Sequence, residues 1–110
     1  MRKVANIVAY EDTPPVLRVS GDEDRNTQGQ RRTALSRAFA AKDDLRVDLS
    51  GLRFADPTLM VDLAMVARRL RSAGRRLILL GAQPHILALI EMVGLHRMDG
   101  IHVVPSSAAA

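Results

Sequence analysis

Residues 45–74, LRVDLSGLRFADPTLMVDLAMVARRLRSAG, constrain the fold more than any other stretch, because they carry their own start and stop signals. Leu45, Val47 and Leu49 alternate with polar residues, the period-2 pattern of a short buried strand. Asp56 followed by Pro57 then has the form of a helix start, an N-cap acceptor before a proline whose missing N–H costs nothing in the first turn. Gly74 supplies the stop, since glycine takes the left-handed conformation that satisfies the last carbonyls of a helix. Between those signals, Leu59, Leu63, Val66, Ala67 and Leu70 fall on one side and should face a sheet. Thr58, Val61, Asp62, Met65, Arg68, Arg69 and Ser72 fall on the other. Val61 and Met65 are apolar side chains on a polar face, and with Thr58 they form a candidate contact patch.

The flanking sequence builds a sheet around this unit. Residues 5–10 and 16–20 are β-prone runs separated by the turn-forming Glu11-Asp12-Thr13-Pro14-Pro15, which predicts an N-terminal antiparallel hairpin. Gly21-Asp22-Glu23-Asp24 should break the second strand. Thr27 and Gln30 have capping-box spacing, so a helix should begin near Thr27, its first turn weakened by Gly29 and its buried stripe made by Leu35, Ala38 and Phe39. The run Leu77–Leu80 reads as a strand buried on both faces, and strand, helix, strand in that order implies parallel pairing through a right-handed crossover. Pro84 fits the first position of a further helix with Ile86, Leu89, Ile90 and Val93 inward, Gly94 as its stop, and Leu95 folding back on it. Ile101–Val104 would be an edge strand or extended tail. The fold class is therefore α/β: a single domain over residues 1–105 with a mixed, mostly parallel sheet packed with helices, then a small-residue tail, 106–110, expected to be disordered.

Composition removes several function classes. A chain of 110 residues with 47% hydrophobic and 25% charged content is an ordinary globular domain. No apolar run approaches the roughly 20 residues needed to span a bilayer, and Met1-Arg2-Lys3 does not lead into a signal-type apolar core, so a cytoplasmic protein without membrane insertion is expected. The formal charge of +4 is too modest to indicate direct nucleic-acid binding without a motif, and Tyr10, Phe39 and Phe54 are too few to build base-stacking platforms. With no cysteine, and with His85, His96 and His102 lacking ligand spacing on one helical face, no metal site is expected. The serines form no nucleophile elbow and the glycines no phosphate or dinucleotide loop, so neither catalytic residues nor a cofactor are assigned. Arg68, Arg69, Arg71, Arg75 and Arg76 gather near the C-terminus of the Asp56 helix, where cations complement the helix dipole. Arg68, Arg69, Arg75 and Arg76 are also candidates for an anion site taking phosphate, a lipid headgroup or an acidic partner.

Taken together, these segments resemble the STAS domain family, and most closely its stand-alone members, the bacterial anti-sigma factor antagonists. Gly21-Asp22-Glu23-Asp24 is similar to the family's G-E-x-D, Val47-Asp48-Leu49-Ser50-Gly51-Leu52 to its D-L-S-G-V, and Gly74-Arg75-Arg76-Leu77-Ile78-Leu79-Leu80 to its G-x-x-L-x-L-V strand. Phe54-Ala55-Asp56 resembles the strand end before the family's helix, and residues 86–98, with Gly94-Leu95, resemble its last helix. The resemblance implies a non-enzymatic module that binds a kinase-type anti-sigma factor and so influences sigma-factor-dependent transcription. It assigns partner binding to Asp56, Pro57, Thr58, Val61, Asp62 and Met65. In that family a hydroxyl residue directly after the aspartate accepts the regulatory phosphate. Here Pro57 holds that position, Thr58 the next, and Leu59 replaces a glycine, which leaves Thr58 as the candidate phosphorylation site. Two other roles stay open: a STAS subunit of a larger assembly such as a lipid ABC transporter, and a domain sensing a small ligand or nucleotide. A homodimer is compatible with the sequence.

Overall fold

A computed structural model of the chain describes residues 7–23 and 28–104. Two strands open it, β1 (Ile7–Asp12) and β2 (Pro15–Glu23), followed by α1 (Gln28–Ala38), β3 (Leu45–Asp48), β4 (Leu52–Ala55) and α2 (Pro57–Ser72). Next come β5 (Leu77–Leu80), α3 (Pro84–Met92), a 3-10 turn at Leu95–Arg97, and β6 (Ile101–Val104). The strands form one mixed sheet in the order β1-β2-β3-β5-β6, with β4 also paired to β2; β1 and β2 are antiparallel and every other pairing is parallel.

The registers put apolar side chains into one continuous row. Leu17 lies beside Val47, Val47 beside Leu79, and Leu45 beside Leu77, all of them buried. Their neighbours on the other face, Arg18, Arg46 and Ile78, are exposed or half-buried. The sheet is thus covered on one side, as the alternation in residues 45–49 predicts. The expectation that β5 is buried on both faces is corrected: Leu77 and Leu79 are buried, whereas Ile78 and Leu80 are only half-buried. The reason is that no helix covers the second face of β5 completely, so its apolar residues remain partly wet.

Four other expectations change. The hairpin strands run through Asp12 and from Pro15, so its turn contracts to Thr13-Pro14; residues 5 and 6 lie outside the described residues. Gly21-Asp22 does not end β2, because the strand shifts register there and continues to Glu23 against β4. Residues 52–55, to which the hydrophobic pattern assigns no strand and of which the family resemblance places only Phe54 and Ala55 at a strand end, form β4. Their burial runs in, out, out, in, which masks the strand period. In α3 only Ile86 and Ile90 of the expected inward stripe are buried; Leu89 is half-buried, and Val93 is exposed because the helix ends at Met92, before it. The capping residue Thr27 and the tail 106–110 lie outside the described residues.

The helix α2 follows its local signals. Pro57 is its first residue, the expected stripe Leu59, Leu63, Val66, Ala67 and Leu70 is buried together with Met60, and the helix ends before Gly74 at φ 78°. There the Gly74 N–H donates to the Arg71 carbonyl and the Arg75 N–H to the Leu70 carbonyl, the paired bonds of a Schellman closure. Upstream, the Asp48 carboxylate accepts from both the N–H and the hydroxyl of Ser50, at 3.0 and 2.7 Å, and so holds the tight β3–β4 connection. That connection sets where β4 begins.

Candidate functional site

The site is built where β4 delivers the chain to α2. Asp56 is extended, φ −73° and ψ 144°, and its Oδ1 accepts the Thr58 N–H at 2.9 Å. Pro57 is exposed at the first helical position, so the turn presents a carboxylate, a ring without a donor, and the Thr58 hydroxyl. One and two turns further along, Val61 is 58% and Met65 49% exposed. The turn and the apolar patch therefore share a face, as the helical register predicts.

That face is one wall of a crevice whose other wall is α1. Leu35 and Ser36 of α1, with Phe39, which lies in the turn just past Ala38 and not in the helix as expected, face Thr58, Val61, Asp62 and Met65 across a cavity of ≈ 450 Å³. A second cavity of ≈ 490 Å³ continues it past Phe39 and Met65 to Arg68, Arg69 and Ser72. The two helices are pinned by Arg31, which is only 2% exposed. Its Nε lies 2.9 Å from Asp62 Oδ2, and its Nη2 donates to Thr58 Oγ1 at 3.1 Å. A guanidinium so far out of water requires a carboxylate partner, and the planar fork lets one side chain hold two positions a helical turn apart.

Of the residues assigned to partner binding, Asp56, Pro57, Thr58, Val61, Asp62 and Met65 all lie on this face. Asp56 and Asp62 are both half-buried, and Asp62 is committed to Arg31. Sequence reasoning missed Arg31. A signal exists, because Arg31 stands one turn ahead of Leu35 and two ahead of Ala38 on the inward stripe of α1, where an unpaired charge would not be tolerated.

The arginine group is dispersed. Arg75 Nη1 donates to the Ala41 carbonyl at 2.8 Å, Arg76 pairs with Asp44 at 3.4 Å, and Arg71 with Asp99 at 3.3 Å. Arg69 lies over the Phe39 ring, 5.1 Å from its centroid, and borders the crevice together with Arg68. The four candidate anion ligands thus divide into a structural pair, Arg75 and Arg76, and a crevice pair, Arg68 and Arg69. Of the histidines, His85 contacts the Arg53 carbonyl through Nε2, and His96 is half-buried with an unpartnered Nδ1. Among the described residues no cluster of His, Asp and Glu could hold a metal ion, and no helix is long and apolar enough to cross a membrane.

No curated protein matches the chain. The family model described as "Mlab, STAS domain" matches residues 8–105, which takes in every strand and helix from β1 to β6 except the first residue of β1. With that match and a mixed α/β sheet whose β4–α2 junction is built from the expected segments, the chain belongs to the STAS domain family.

Proposed function

We propose that this STAS domain is a non-catalytic docking module that binds a regulatory protein, in the manner of an anti-sigma factor antagonist binding a kinase-type anti-sigma factor, and thereby influences sigma-factor-dependent transcription. The observation that carries the reading is the pairing of two exposed apolar side chains, Val61 and Met65, with the capped Asp56 turn on one face of α2. A surface of that kind recognises shape and polarity and needs no reacting group. Contact would be made by Asp56, Pro57, Thr58, Val61 and Met65, with Asp62 holding the surface in place through Arg31.

A second reading has support from Pro57. Because the first helical position carries no hydroxyl, the turn cannot be switched there by a phosphate, which suits a constitutive subunit of a larger assembly, such as a lipid ABC transporter, better than an antagonist switched at that position. Co-expression tests the two against each other. The tagged chain is expressed with the anti-sigma factor, or with the transporter ATPase, encoded beside its gene. Stoichiometric co-purification that Met65→Glu abolishes supports docking and names its class. Co-purification with neither, or capture that survives Met65→Glu, defeats the reading.

A further inference from the structure

We infer that the crevice between α1 and α2 receives an amphipathic helix of a partner protein, with apolar anchors at helical spacing and Glu or Asp along its flanks. The inference deepens the docking reading and rests on it. Three observations carry it. First, the two cavities share Phe39 and Met65, so they form one channel alongside α2 from Thr58 to Ser72. At 1.5 Å per residue that is about 21 Å, the length of a helix of roughly four turns. Its floor is apolar, with Leu35 and Phe39 on one side and Val61 and Met65 on the other.

Second, the walls are the helix α2 and, opposite it, α1 with the Phe39 turn that closes it, whose backbone N–H groups bond back to α1. An extended segment laid between them would find no sheet edge and would leave its own N–H and C=O groups unpaired against an apolar floor. A helix satisfies its backbone internally and offers side chains at the spacing of the walls.

Third, the rim is basic. Arg32, Arg68 and Arg69 border the channel, and none pairs with an acidic side chain among the described residues. Asp62, the acidic residue in the lining, is neutralised by Arg31. An acidic flank therefore gains three guanidinium neighbours, while a basic flank meets only repulsion. The same rim disfavours a second copy of this chain, whose matching face would set arginine against arginine.

The test uses two fluorescein-labelled peptides of about 15 residues, both with leucines at helical spacing, one carrying Glu on its flanks and its twin carrying Lys instead. The full chain, labelled with carbon-13 at its methionine methyls, is titrated with each. The acidic peptide is expected to bind saturably, gain helicity, shift the exposed Met65 methyl while leaving buried Met60 unmoved, and weaken as salt is raised. The Lys peptide is expected to bind at least about tenfold more weakly, and the double variant Arg68→Glu, Arg69→Glu to invert the preference. Equal affinity for both peptides, no saturable binding of the acidic one, or binding without a Met65 shift overturns the inference. So does self-association that Met65→Glu removes, which would assign the channel to a second copy. If a co-expressed partner is still captured through Met65 while the two peptides bind equally, docking stands and the acidic helix falls.

Discussion

Arg31 Nε lies 2.9 Å from Asp62 Oδ2 at the junction of α1 and α2, with the guanidinium 2% and the carboxylate 31% exposed. The asymmetry of burial decides which partner the pair can do without. Removing Asp62 takes a carboxylate away from a guanidinium held out of water, whereas removing Arg31 leaves a carboxylate that water can reach. Asp62→Ala is therefore expected to lose about 3 kcal/mol of unfolding free energy, near the low end for a broken buried pair because Thr58 Oγ1 still accepts from Arg31. Arg31→Met, which keeps the stem, should lose less, and the double variant less than the sum. Urea unfolding of the three variants measures this; an additive cycle would rule out coupling between the two.

At the start of α2, Asp56→Ala removes the acceptor of the Thr58 N–H and should cost about 1 kcal/mol. Asp56→Asn keeps an acceptor and should cost only a fraction of that. Chemical denaturation separates them, and equal losses would mean that charge, not capping geometry, is what Asp56 supplies.

Thr58 is exposed and is the hydroxyl of the first turn nearest the position held by Pro57. A phosphate added to this turn by a cognate kinase is expected on Thr58, beside the Arg31 guanidinium. Labelling by the co-purified kinase should vanish in Thr58→Ala and persist in Thr58→Ser. Label retained by the alanine variant removes Thr58 from the reading.

Burial pushes the Asp48 carboxyl pKa up, but the N–H and hydroxyl of Ser50 and the nearby Arg18 guanidinium outweigh it and hold the pKa below the usual carboxylate value. A group lowered on folding binds fewer protons folded than unfolded, so its contribution is complete above its unfolded pKa, about 4, and is lost as pH falls through that value toward the folded one. Asp48→Asn should therefore lower stability near neutral pH and flatten its acid limb. Unfolding midpoints recorded between about pH 6 and 2.5 test this, and parallel curves for the two proteins would contradict it.

Two glycines at positive φ separate strain from crowding. An added Cβ at Gly74, φ 78°, meets nothing within 4 Å, while at Gly81, φ 71°, it comes within 3.1 Å of Ser50 Cβ. Gly74→Ala should cost about 1 kcal/mol from the backbone alone. Gly81→Ala carries that strain and also pushes on the β3–β4 connection, so its melting temperature should fall further. A smaller loss at Gly81 would mean that Ser50 moves aside freely.

α2 and its surroundings are legible from residues 45–74 alone. Asp56, Pro57 and Gly74 act within a turn of their own position, and the apolar stripe from Leu59 to Leu70 follows from helical geometry, so no distant residue was needed to read them. The exposed Val61 and Met65 were legible for the same reason. What lay beyond reach depended on partners far along the chain. β4 exists because β2 continues past a register shift to pair with it, and the short segment 52–55 has no alternation to announce it. Arg31 stands on the inward stripe of α1, but nothing local names its partner until α2 packs beside it and Asp62, far along the chain, closes the pair. The crevice itself is a property of neither helix alone. That the patch on α2 is one wall of a channel follows from packing, because a groove between helices is set by where the sheet holds them, and local signals carry nothing about that distance.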